Sequence, residues 1–137
     1  MMTAADGGGR VTYVGGTQQG LAERRDGALD TTHEQYLFFR TRQLTMQVPY
    51  DHVNLLEYGQ KVDRRLAMAI VISPLLMLSK KRAHFLTVGY SDGEGRQQAM
   101  IFRVDKNDIR ALLVSLEART GRKITFQDEE ARKAGKG

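Results

Sequence analysis

His84-Phe-Leu-Thr-Val-Gly-Tyr90, then Ser91-Asp-Gly-Glu-Gly95, then Arg96-Gln-Gln-Ala-Met-Ile-Phe-Arg-Val104 is the stretch whose reading decides the fold. Two runs rich in β-branched and aromatic residues flank a short polar segment with two glycines, which is the pattern of a β-hairpin. Asp92-Gly93 is the pair expected to take positive φ and turn the chain. Asp105-Lys-Asn-Asp108 follows and offers side-chain acceptors for the free N–H groups of a helix start. Ile109, Leu112, Leu113 and Leu116 then recur at i, i+3, i+4 and i+7, a stripe one helix face wide. Gly121 is placed to end that helix in the left-handed conformation. A hairpin running into an amphipathic helix at 107–120 predicts a sheet closed by one helix.

Upstream, residues 1–10 read as a flexible lead-in with three consecutive glycines. The stretch from Met1 to Gly9 shows no basic and apolar leader pattern, so no signal peptide is expected there. Val11-Thr-Tyr-Val14 reads as a strand stopped by Gly15-Gly16. Strands are expected at 27–32 and 35–40, with a turn at 32–34. Leu44, Met46 and Val48 alternate with polar residues up to Pro49, which cannot donate a ladder hydrogen bond and must break the strand. Alternation resumes with Val53 and Leu55 on one side and Asn54, Leu56 and Tyr58 on the other, closed by Gly59. Lys123-Ile-Thr-Phe126 adds an edge strand, and 127–137 reads as a polar tail. Short strands at this spacing point to a mainly β fold with one helix, a small antiparallel barrel rather than a βαβ sheet.

The chain has 137 residues, 41% of them apolar, which suits one soluble domain over 11–126. It contains no cysteine, so disulfides, thiolate metal sites and cysteine nucleophiles are excluded. The net charge of +5 is concentrated in one place. Lys61, Arg64, Arg65, Lys80, Lys81 and Arg82 flank the uncharged run from Leu66 to Leu78, and Asp63 is the one acid among them. That stretch alone carries the net charge of the whole chain, and the remainder sums to zero.

As a helix the thirteen-residue run would span about 20 Å, against about 30 Å of hydrocarbon. Pro74 would also break it, so no transmembrane helix is expected. Leu66, Met68, Ile70, Ile72, Leu75, Leu76, Met77 and Leu78 are the candidate apolar contact residues. The six flanking cations are the candidate contacts to an anionic surface or a partner. The competing readings are a homodimer interface and a structural element packed inside its own fold.

Other chemistry has little to build on. His33, His52 and His84 lack ligand-spaced partners, so structural or surface roles are expected and no metal. There is no G-x-S-x-G elbow and no phosphate-binding G-x-x-x-x-G-K, and no cofactor is implied. The aromatics lie among aliphatic strand residues without interleaved cations, which argues for core use over nucleic-acid stacking.

A resemblance joins these pieces. Gly27-Ala-Leu29 with Thr32, Tyr36-Leu-Phe-Phe39, and Leu44-Thr-Met-Gln-Val-Pro-Tyr-Asp-His-Val53 with Leu56 resemble the pleckstrin-homology-like superfold, in its GRAM-type and bacterial forms. A valine–proline–tyrosine corner, an apolar strand after it, a long hairpin and a capping helix are shared features. The resemblance implies a PH-like domain with an apolar insert at about 64–82, and a non-catalytic module binding phosphoinositides or protein segments rather than an enzyme. The familiar inositol-phosphate pattern places cations on the first strands and their loop. Here that loop offers only Arg24 and Arg25, each beside an acid, so the candidate anion site moves to 61–82. A membrane-surface or protein-interaction adaptor is the expected function, with oligomerisation or a purely structural role as the alternative and a small hydrolase or nucleic-acid binder set behind both. Compartment is not legible.

Overall fold

The computed structural model describes residues 8–17, 25–59, 71–72 and 84–126. Its strands are β1 (Gly8–Gly16), β2 (Arg25–Asp30), β3 (Tyr36–Arg40), β4 (Thr45–Pro49), β5 (Val53–Gly59) and β6 (Val71–Ile72). They continue with β7 (His84–Ser91), β8 (Gln97–Val104) and β9 (Thr125–Phe126), and one helix, α1 (Ile109–Thr120), lies between β8 and β9. One sheet joins them in the order β4-β3-β2-β1-β8-β7-β5-β9, with β6 paired to β1. The fold is mainly β, as the sequence predicts.

The predicted hairpin forms, with His84 opposite Val104 and Ser91 opposite Gln97. Its turn differs from expectation. Gly95, with φ 79°, takes the left-handed conformation, and Gly93 does not. The Asp92 carboxylate accepts the N–H groups of Glu94 and Arg96, both at 2.9 Å. That bracing leaves the reversal of hand to the last loop residue, as in three-residue hairpin loops.

Expectation and structure also part at β1. Gly15 and Gly16 do not stop the strand; they pair with β8 across an irregularity after Tyr13, and with Ile72 and Val71 on the other edge. Gly8 to Arg10, read as lead-in, belong to β1 and pair with β2. In β5 the register against β7 shifts between Val53 and Leu55. This bulge changes the phase of alternation, so Val53, Leu56 and Tyr58 are buried together while Asn54 is exposed.

The Pro49 break is where the sequence places it. β4 ends there and Tyr50–His52 forms a 3₁₀ turn, with the Tyr50 N–H donating to the Gln35 carbonyl at 3.0 Å. β9 is the predicted edge strand, though it runs parallel to β5. No pairing links β4 to β9, so the sheet is open and the expected barrel is not closed. A single core nevertheless gathers Leu37 and Val48 from one end of the sheet with Leu56 and Tyr58 from the other.

Helix α1 closes that core. Ile109, Leu112, Leu113 and Leu116 are all buried, as their spacing requires. Burying side chains of this size contributes about 2 kcal/mol each. Gly121 takes φ 71° and donates its N–H to the Glu117 carbonyl at 3.0 Å, the expected helix end. The helix start differs. Asp108 makes no side-chain cap; its carboxylate accepts the Arg10 N–H at 3.0 Å and so ties the helix entry to β1.

Candidate functional site

Two groups of charged residues stand out, and the sheet builds them differently. The first lines an open cleft of about 680 Å³ formed by Arg10, Val11, Thr12, Asp26, Gly27, His84 and the stretch Arg103 to Lys106. Cross-strand register puts Thr12 between Asp26 of β2 and Arg103 of β8. Thr12 donates its hydroxyl to Asp26 at 2.7 Å. Asp105 accepts the Asn107 N–H at 2.9 Å and donates its own N–H to the Arg10 carbonyl at 3.2 Å. Arg10, Arg103 and Lys106 are exposed, and none of the three forms an ion pair among the described residues. Three cations without an ion pair among the described residues thus line the cleft with Asp26 and Asp105, whose carboxylates hold local hydrogen bonds, while the Asp108 carboxylate is held on the Arg10 N–H beside it.

His84 forms one wall of the cleft and reports its field. The imidazole stacks on the Tyr58 ring, with centroids 5.8 Å apart and planes 9° apart, and its Nδ1 shares a hydrogen bond with the Tyr58 hydroxyl. Burial first, and then the charge of Lys106, hold the imidazole below its ordinary 6.5. Burial also raises the Tyr58 hydroxyl. Each shift keeps the pair neutral at pH 7.

In the second group every charge is satisfied. Asp30 is buried; burial alone would raise its carboxyl, but the Thr32 hydroxyl and N–H together with Arg40 overrule that and hold it below the ordinary value. Arg40 pairs with Asp30 and lies 4.4 Å from the Phe38 ring centroid. Arg119 of α1 donates Nε to the Thr31 carbonyl at 3.0 Å and Nη2 to the Thr32 carbonyl at 3.3 Å. A second cleft of about 560 Å³ lies beside this group, lined by Glu34 to Tyr36, Pro49 to His52, Arg119 and Thr120. Burial pushes the Tyr50 hydroxyl there up to about 12.

The three histidines all have structural partners. His33 Nδ1 accepts the N–H groups of Gln35 and Tyr36, His52 Nδ1 meets the Ser91 carbonyl at 3.1 Å, and His84 holds Tyr58. Among the described residues no cluster of three or more His, Asp or Glu is arranged to hold a metal ion. No described helix is long and apolar enough to cross a membrane.

No protein-family model matches the sequence, and no curated protein matches it either.

Of the site residues expected from sequence, Lys61, Arg64, Arg65, Leu66, Met68, Ile70, Leu75, Leu76, Met77, Leu78, Lys80, Lys81 and Arg82 lie outside the described residues. Ile72 alone has a described backbone, paired with Gly15. The cleft group escaped sequence reading because Arg10 lies more than ninety residues before Arg103 and Lys106 in the chain. A signal was available at Arg103, a lone charge in the otherwise apolar run Ala99–Val104.

Proposed function

We propose that this chain is a non-catalytic binding module of PH-like type that meets an anionic membrane surface through the Arg10–Arg103–Lys106 cleft and the adjoining basic residues. The observation that carries this reading is the absence of ion-pair partners among described residues for all three cleft cations, in a chain that pairs Arg40 with a buried Asp30. The cationic run Lys80-Lys81-Arg82 leads within two residues to His84 on the cleft wall, and His84 lies opposite Val104, the residue after Arg103. Cations near an anionic membrane contribute about 1 kcal/mol each, and that contribution is screened by salt. The PH-like part of the reading is supported by the Val48-Pro49-Tyr50 corner, the strand after it and a C-terminal helix packed into the core.

Cosedimentation with phosphatidylcholine vesicles, with and without phosphatidylserine, tests it. Binding is expected only when the anionic lipid is present. Arg103→Glu with Lys106→Glu should weaken it by about thirtyfold or more, because two favourable contacts of about 1 kcal/mol each are lost. Equal sedimentation with neutral vesicles, or anionic binding that ignores both this pair and Lys80→Glu with Lys81→Glu, would overturn the reading.

A further inference from the structure

Among the residues lining the Arg10–Arg103–Lys106 cleft, His84 is the one whose charge can change near neutral pH. Its imidazole is half-buried, stacked on Tyr58, with Nδ1 hydrogen-bonded to the Tyr58 hydroxyl. A phenol hydroxyl can both donate and accept, so this bond serves the neutral ring and the protonated ring alike. Among the described residues Nε2 has no hydrogen-bond partner. Once the ring is charged, that leaves one N–H for a partner outside the fold.

The groups around the ring set the sign of its response. β5 presents Tyr58, kept neutral by burial, and Glu57 beside it lies opposite Thr87 and Thr125. β9 presents Phe126 to the Tyr58 ring. β8 ends with Arg103 and Val104, the latter opposite His84, and the loop after it brings Asp105 and Lys106. Arg10 of β1 and Asp26 of β2 line the same cleft. After burial, the Lys106 charge opposes protonation of the ring, and an anion seated among Arg10, Arg103 and Lys106 offsets that opposition. Anion binding and His84 protonation therefore favour each other, and the coupling is reciprocal. We propose that the cleft is pH-gated: protonation of His84 supplies a fourth cation and tightens its hold on an anionic membrane as the surroundings acidify. The inference rests on the anionic reading and adds the regulation of that same site.

Cosedimentation of the full chain with phosphatidylserine-containing vesicles at about pH 7.5 and about pH 5.5, at fixed ionic strength, tests it. Affinity is expected to rise about fivefold at the lower pH, the effect of one added cation near the surface. His84→Gln should lose most of that rise, whereas His33→Gln with His52→Gln should keep it. The His84 ring signals in NMR of the unsubstituted protein give a second readout. Their titration midpoint should move up with phosphatidylserine nanodiscs and not with phosphatidylcholine ones. Anionic binding without a rise at the lower pH, an equal rise in His84→Gln, or an unmoved His84 midpoint would overturn the pH gate and leave the functional proposal standing. No binding to anionic vesicles at either pH would overturn both.

Discussion

Arg40 and Arg119 carry the same charge as Arg10 and Arg103, yet the fold treats the two pairs in opposite ways. Arg40 is committed to Asp30 and Phe38, and Arg119 joins the end of α1 to the carbonyls after β2. Arg10 and Arg103 line an open cleft without an acidic partner among the described residues. Removing one partner of a buried pair leaves the other uncompensated, whereas an exposed, unpaired cation contributes little to stability. The contrast separates charges that hold the molecule together from charges free for something outside it.

The largest expected effect breaks the paired side. Asp30→Ala removes the acceptor of Thr32 and Arg40 together and should lower unfolding stability by about 2–3 kcal/mol in urea denaturation, with vesicle binding by the remaining folded protein unchanged. Gly95→Ala places a Cβ at φ 79° in the hairpin turn, and a loss of about 1 kcal/mol is expected from the same measurement. The smallest stability effect is expected on the unpaired side, where Arg103→Gln with Lys106→Gln should stay within about 0.5 kcal/mol of the parent.

A pH series sharpens the comparison at the cleft wall. The His84 imidazole titrates below its ordinary 6.5 in the folded chain, so the unfolded chain binds more protons through that range. Stability from this residue is present above 6.5 and falls as the pH drops from there through the lowered folded value. His84→Gln should flatten that part of the urea midpoint against pH; an unchanged slope would show that His84 does not set it. The Asp30 carboxyl works at the acid end. Its stability is present above the ordinary 3.8 and disappears as the pH falls through its depressed value.

Much of the architecture is legible in local sequence because local rules govern it. The stripe from Ile109 to Leu116, the Gly121 stop and the Pro49 break depend on residues a few positions apart. Where a residue answers to a distant partner, local reading goes astray. Asp108 spends its carboxylate on Arg10 rather than on its own helix, Gly15 and Gly16 continue β1 through pairing with β8 and β6, and the bulge after Val53 moves Leu56 and Tyr58 into phase with it. The cleft is the extreme case, since only the register of β1 against β8 brings Arg10 beside Arg103 and Lys106. The basic-flanked apolar segment was the site the sequence drew attention to, and its side chains lie outside the described residues. What the described structure adds is a buried outward face on β7 and β8, visible in sequence only as two strands with too little alternation.

One measurement tests the central claim most directly: affinity for phosphatidylserine-containing vesicles, determined for Arg103→Gln with Lys106→Gln and for Arg40→Gln with Arg119→Gln, alongside each variant's urea midpoint. The first pair should lose about thirtyfold in affinity at an unchanged midpoint, and the second should lose midpoint with affinity retained. Equal losses of affinity from both pairs, or none from the cleft pair, would contradict the division between charges that build the fold and charges that bind.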